Sequence, residues 1–210
     1  MQAMDDSEPR KSYHHGNLRQ ALVEAALVLI DEKGPLGFTL AEAARAAGVT
    51  PAAPYRHFRG RDELIEEVAR QGFGMFADRL ERAAASGGAS ALRSMFAMGS
   101  AYLEFARQHP GYYKAMFESG IDVARNPELA RAGGRALSVL VGIAARLAEQ
   151  LPPERRPPPA MVANHVWAFS HGTVELFGRD RPGSRAPYSA EEMLESGVTI
   201  YLRGLGLIPF

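Results

Sequence analysis

TLAEAARAAGVTPAAPYRHFRGRDEL, residues 39–64, is the stretch whose reading decides the fold. Thr39 and Glu42 have the Thr-x-x-Glu spacing of a capping box, in which the hydroxyl takes an unpaired N–H of the first turn and the carboxylate returns to the cap's own N–H. Leu40, Ala43, Ala44 and Ala47 recur at helical spacing and give a small apolar face, so a first short helix runs to about Ala47. Gly48 can turn the chain at positive φ, Val49 can pack under the corner, and Thr50-Pro51 offers an N-cap with proline at the first helical position. Two short helices joined by a tight turn result, the second docked on the first with its N-terminal face free. Pro54 complicates the second: four residues after Thr50, it removes the first intrahelical hydrogen bond and crowds that carbonyl. That helix therefore starts either at Thr50 or late, with Ala53 as its cap.

The side chains that follow are donors. Tyr55, Arg56, His57, Arg59 and Arg61 can all donate hydrogen bonds, while Phe58 can anchor the element in the core. From Arg45 to Arg61 there are four arginines and no acidic residue, in a chain that balances 24 basic against 24 acidic side chains. Positive charge concentrated on one element of a neutral protein suits phosphate neutralisation, the sequence-independent part of DNA affinity. A helical hairpin with a merely solvated basic face would share the spacing.

Gly48-Val49, then Tyr55-x-His57-Phe58, then Arg61-Asp62-Glu63-Leu64 together resemble the TetR/AcrR family of bacterial transcriptional regulators, over about residues 17–68. The resemblance implies that Thr39, Tyr55, His57 and Arg61 touch phosphates, and that Thr50, Pro51, Ala52, Ala53 and Arg56 face base edges. Of the latter only Arg56 can make a bidentate contact to guanine, whereas Ala and Pro offer apolar surface to a thymine methyl. Pro54 stands where the family more often has leucine.

With 210 residues, 46% of them apolar, the chain can bury a substantial core. No stretch approaches the roughly 18 uninterrupted apolar residues of a membrane span, and the N-terminus is polar and acidic where a signal peptide would be basic then apolar. The expected location is the bacterial cytoplasm, at the nucleoid. Absence of Cys removes disulfides, thiolate metal sites and a cysteine nucleophile.

No β-alternating run appears, and the periodicities predict an all-α chain of about nine helices. Residues 1–15 read as a disordered arm whose Arg10-Lys11 either reaches a DNA groove or is simply solvated; 16–62 as the helix-turn-helix DNA-binding domain; 63–210 as a ligand-binding and dimerisation domain. The first helix runs from Asn17 to Lys33-Gly34, and a long one runs from Arg61 to about Ala85, ended by Gly87-Gly88. Others span 89–108, 112–119, 126–151, 160–178 and 189–206, the last opening with the capping box Ser189-x-x-Glu192.

The C-terminal helices are rich in aromatic and Met residues. Phe73, Phe76, Met98, Tyr102, Phe105, Tyr113, Met116, Phe117, Trp167 and His171 are the candidate lining of an apolar effector pocket between bundle helices, although any one of them is as well explained by ordinary core packing. Trp167 with His171-Gly172 resembles the Trp-x-x-x-His-Gly feature of one TetR C-terminal subgroup. His171 and Glu175, four apart, could share a helix face as metal ligands, but no third ligand is visible, so no metal and no cofactor is expected. The family resemblance further implies that the last two long helices pair with their copies across a two-fold axis; Gly172, Val174, Gly197, Ile200 and Gly204 are the candidate interface, since glycines permit close approach.

These readings converge on a ligand-responsive regulator: a homodimeric repressor, released from a palindromic double-stranded operator by a small apolar effector. Two alternatives stand beside it. One is a DNA-binding regulator without a ligand; the other is a helical enzyme using His171 with Glu175, or His14-His15, for which no nucleophile, base and orienter are assembled, leaving no catalytic residue to name.

Overall fold

The computed structural model describes residues 18–178 and 187–209. The expected N-terminal arm, the His14-His15 pair and most of the polar loop at 179–187 lie outside the described residues. All regular structure among those described is helical: α1 (Leu18–Lys33), α2 (Leu40–Ala46), α3 (Arg61–Ser86), α4 (Ala91–Gln108), α5 (Pro110–Phe117), α6 (Pro127–Ala148), α7 (Pro159–Phe177) and α8 (Ala190–Gly204), with 3-10 turns at Ala53–Arg56, Val123–Arg125 and Pro153–Arg155.

Helix starts follow the side chains that can take unpaired N–H groups. Thr39 and Ser189 each close a complete capping box, with Glu42 and Glu192 respectively. The Asn126 carboxamide accepts from the N–H groups of Glu128 (3.1 Å) and Leu129 (3.3 Å) at the head of α6. Ser90 accepts from Arg93 N at 3.3 Å at the head of α4. Such caps are worth about 1 kcal/mol each.

α3 is the long strut of the molecule. Its 26 residues span about 39 Å at the usual rise per residue. Leu64, Ile65, Val68, Ala69, Gly72, Phe73, Phe76, Ala77 and Leu80 are buried along it, the doubled i, i+1, i+4, i+5 rhythm of a helix covered on a broad stripe. It packs against α1 near its start and against α4, α5 and α6 further along, so one rigid element runs from the N-terminal helices into the C-terminal bundle. Buried side chains from α1 through to Leu207 form one contiguous core. No helix among the described residues is long and apolar enough to cross a membrane.

Candidate nucleic-acid interface

The corner after α2 is closed by its backbone. Gly48 adopts φ +73°, its N–H donates to Arg45 O (3.0 Å), and Val49 N–H donates to Ala44 O (2.9 Å), the paired bonds of a Schellman motif. The second helix, however, does not begin at Thr50. Ala53 N–H donates to Thr50 O, Pro51 and Ala52 form a turn, and the only helical structure is the four-residue 3-10 turn Ala53–Arg56, capped by Ala52. The late start follows from Pro54, which has no N–H to give Thr50 and whose ring would meet that carbonyl in an α-helix. Pro54 is instead buried beneath the turn, its own carbonyl accepting from His57 N–H (2.8 Å) and Phe58 N–H (2.9 Å).

Thr50, Pro51, Ala52, Tyr55, Arg56 and His57 are all exposed and Ala53 is half-buried, while Phe58 is buried and pins the element. Tyr55 is 63% exposed, so both its ring and its hydroxyl are accessible to a partner. Thr50, Ala53, Arg56 and His57 share one groove of about 480 Å3, floored by Leu18, Gly48 and Val49. Seven of the nine expected DNA contacts, Thr50, Pro51, Ala52, Ala53, Tyr55, Arg56 and His57, thus lie on or beside a single small element, with Thr39 and Arg61 on its flanks.

The charge pattern differs from the sequence alone. Arg59 is tied to Glu63, its backbone N–H donating to the carboxylate at 2.6 Å and its guanidinium at 3.2 Å. That N–H is the largest cause holding the Glu63 carboxyl below the usual carboxylate range. Arg61 pairs with Asp62 at 2.7 Å and donates to Leu36 O at 3.2 Å. Both pairs are largely exposed and so contribute at most about 1 kcal/mol; a phosphate can displace them. Arg45 and Arg56 carry no ion pair among the described residues and are the cations immediately available. Thr39 is exposed, but its hydroxyl donates to Glu42 Oε2 at 3.0 Å while accepting from Glu42 N at 3.2 Å. The Lys33 ammonium, then Thr39, hold the Glu42 carboxyl down at about 2, so a carboxylate stands beside the hydroxyl expected to meet a phosphate, partly offset by Lys33 at 2.9 Å.

One participant went unread in the sequence. Arg19 of α1 lies over the Phe58 ring, 4.7 Å from its centroid, and its guanidinium reaches His57 O at 3.4 Å. Only its position one residue into the first helix of a basic module hinted at this.

The ten residues expected to line an effector pocket are brought together: seven are buried in the core, and Phe117, Trp167 and His171 are half-buried against it. Phe76 meets Tyr102, Phe105 and Trp167 with ring centroids 5.0, 5.0 and 5.7 Å away. Phe117 joins Phe73, Tyr113 and His171 to the same cluster, and Met98 and Met116 are buried beside it. At its centre the hydroxyls of Tyr113 and Tyr102 both meet His171 Nδ1, at 2.8 and 3.1 Å. Burial, then the neighbouring Tyr113, push the Tyr102 phenol well up from its ordinary value, so it stays neutral. His171 is a half-buried histidine hydrogen-bonded to two tyrosines, and Asn164 and His165 are engaged with Ala160 O and the Tyr201 hydroxyl, both at 2.8 Å. Tyr113 also lines a cavity of about 250 Å3 with Val174 and Pro110. A further cavity of about 180 Å3, which the sequence did not suggest, opens between α4, α7 and α8, lined by Met95, Leu103, Ser170 and Leu194.

On the outer face of α7 and α8, Leu176 is 64% and Ile200 70% exposed, with Met161 and Phe169 also uncovered. A side chain placed at Gly172, Gly197 or Gly204 would meet nothing within 4 Å, so these glycines border open space. Val174 departs from expectation. At 3% exposure it faces the protomer's own core, because it lies half a turn from Leu176.

Comparison with known proteins places both halves. The family model described as "Bacterial regulatory proteins, tetR family" matches residues 22–68, and that described as "Tetracyclin repressor-like, C-terminal domain" matches residues 95–201. The chain is 31% identical over 101 residues to the uncharacterized HTH-type transcriptional regulator YobS of Bacillus subtilis, covering 48% of this chain and 51% of that protein. It is 40% identical over 60 residues to the HTH-type transcriptional regulator BetI of Rhizobium meliloti, covering 29% and 30%. The chain thus spans about half or less of the curated relatives it matches. Among solved structures, a protein of unknown function from Rhodococcus sp. RHA1 superposes with a TM-score of 0.76 at 28% identity, covering 93% of this chain and 98% of that one. PfmR from Thermus thermophilus, described as a TetR family transcriptional regulator, superposes with a TM-score of 0.67 at 20% identity, covering 87% and 97%, and so shares the fold.

Proposed function

The chain belongs to the tetR family of bacterial regulatory proteins and is a DNA-binding transcriptional regulator, not an enzyme, and on that footing we propose that it is a homodimeric repressor released from a palindromic operator by a small apolar effector. In this reading residues 16–62 bind DNA in the bacterial cytoplasm and residues 63–210 bind the effector and the second copy. Base readout falls to the segment from Thr50 to Arg56, and phosphate contact to Tyr55, His57, Arg61 and Thr39, with Arg45 and Arg56 supplying unpaired charge. Dimerisation uses the face of α7 and α8 that carries Leu176 and Ile200, since Ile200 at 70% exposure would otherwise stand in water.

The observation that carries the effector is the Tyr102–Tyr113–His171 group, a few convergent polar atoms inside an aromatic shell, with Tyr113 also bordering the cavity of about 250 Å3 through which a small molecule would reach them. The shell also supplies the assay. Trp167 is the single tryptophan of the chain and lies 5.7 Å from Phe76 and 5.6 Å from Tyr102. A compound entering the cluster changes Trp167 emission, and titrations with and without operator duplex then measure the coupling. A hundredfold loss of operator affinity requires a coupling of about 2.7 kcal/mol, and the duplex must weaken the compound by the same factor.

A second reading, a regulator that takes no effector, is favoured by how closed the cluster is: Phe76, Phe105 and Tyr113 are at most 2% exposed. Under it no compound shifts Trp167 emission saturably, or one does with equal affinity in the presence of DNA.

A further inference from the structure

We infer that Glu67 is the residue that positions the DNA-facing turn, and that the chain Tyr112–Gln71–Glu67–Arg19 makes this positioning answer to the effector half of the molecule. The inference rests on the reading of Ala53–Arg56 as the DNA-facing element.

A four-residue 3-10 turn cannot fix its own orientation, because it has too few internal hydrogen bonds to outweigh the entropy of the exposed chain around it. What holds this one is Pro54 and Phe58 beneath it and, from the side, Arg19: the guanidinium over the Phe58 ring and one arm at His57 O. Arg19 in turn is held by Glu67, a carboxylate only 7% exposed on α3. Glu67 accepts from Arg19 Nη2 at 3.0 Å, from Arg70 Nε at 3.0 Å and Nη2 at 2.6 Å, and from Gln71 Nε2 at 2.9 Å. Four donors fill the lone-pair directions of a carboxylate. A buried charge so tied is weak evidence for stability and better suited to fixing one arrangement among several.

The same cluster reaches the other way. Gln71, whose amide donates to Glu67 and to Gln20 Oε1 (3.2 Å), accepts at 3.4 Å from the hydroxyl of Tyr112 on α5. Tyr112 is next to Tyr113, which bonds to His171 in the aromatic cluster. α5 packs closely against both α1 and α3. A side chain at Gly72 of α3 would meet Met116 Sδ at 2.8 Å, one at Gly111 would meet Leu27 of α1 at 3.1 Å, and Lys114 donates to Asp31 O at 3.2 Å. A shift of Tyr113 therefore moves Tyr112 and Gly111 together. It reaches the turn through the polar chain as well as through α3 itself.

The test uses the full-length protein and a duplex selected by the unmutated protein from a random-sequence pool. Glu67→Gln keeps the shape and removes the charge; it is expected to weaken duplex binding at least tenfold with the helical circular dichroism unchanged. Arg19→Lys keeps the cation but loses the flat group over Phe58 and one donor arm; it is expected to weaken binding at least threefold, and it decides the matter if Glu67→Gln does not fold. Tyr112→Phe removes one hydroxyl remote from the turn and is expected to weaken binding about threefold alone and not at all in the Arg19→Lys background. A folded variant at Glu67 or Arg19 that binds within twofold of the unmutated protein overturns the positioning role, even if its melting temperature falls. A Tyr112→Phe effect that is absent, or that is the same factor in both backgrounds, overturns the connection to α5. Failure of the unmutated protein to select any duplex would instead defeat the reading of the turn as a DNA contact.

Discussion

Replacing Phe76 by alanine removes the ring on which the C-terminal core is built, and its cost can be worked from the contacts. Phe76 is fully buried, and truncating such a residue costs about 3–5 kcal/mol through lost transfer energy and the cavity left behind. Its ring meets Tyr102 and Trp167 edge-on at interplanar angles of 88°, and Phe105 tilted at 59°; each such pair is worth about 0.5–1.5 kcal/mol beyond burial. The surrounding rings are held by one another and by the Tyr–His bonds, so collapse into the space is hindered and the expected loss is about 4–5 kcal/mol. Urea unfolding at fixed protein concentration, followed by circular dichroism with m compared between variants, measures it. Met75→Ala is the control: one residue earlier but 38% exposed, it should cost less than about 1 kcal/mol. A dry aromatic-lined hole should also take a small arene such as benzene and recover part of the loss. A cost below about 2 kcal/mol would show that the cluster repacks freely, and the account of it as a fixed shell would fail.

Arg56→Ala should cost on the order of 1–3 kcal/mol of operator affinity and relax preference at one symmetric pair of base positions, whereas Arg61→Ala should weaken all sequences alike and reduce the salt slope by about one; operator profiling and salt titration separate the two. Ile200→Asp or Gly197→Glu should split the dimer, read by mass measurement at micromolar concentration, and an intact dimer in both would move the interface off α8. The Glu67 carboxyl, with burial opposing and the Arg70, Gln71 and Arg19 hydrogen bonds prevailing, is held at about 2. Because the folded value lies below that of an unfolded glutamate, about 4.3, its contribution is complete above that pH and is lost as pH falls towards 2. Glu67→Gln should remove this part of the acid dependence, and an unchanged acid limb in the variant would mean that the carboxylate is not so held.

How far the sequence carried the reading varies with the physics involved. Caps are local chemistry, so Thr39 with Glu42, Asn126 and Ser189 with Glu192 marked helix starts that the structure places within a residue or two. The consequence of Pro54 was local too, and the late 3-10 turn opens at Ala53 itself, the residue expected to cap it. Ion pairing depends on rotamers as much as on order. Four arginines with no acid between them looked like free charge, yet Glu63 and Asp62 lie just past the end of that run and fold back onto Arg59 and Arg61. Contacts across the fold left less trace: Arg19 is 48 residues from Glu67, and the two meet only once α1 has packed on α3. The aromatic, Met and His residues expected at the pocket do lie together, but whether they enclose space or fill it is a matter of ångströms that no spacing encodes. Val174 and Leu176, two apart, face opposite ways for reasons that periodicity does hold.

Footprinting of the full-length protein on a selected duplex, with the mass of the complex determined in the same sample, tests the central claim most directly. The account predicts two protected half-sites related by a dyad, with centres about 10 base pairs or a multiple of that apart, bound by two protomers and lost in Tyr55→Ala together with Arg56→Ala. Protection of a single unpaired site by one protomer, or protection that survives both substitutions, would contradict it.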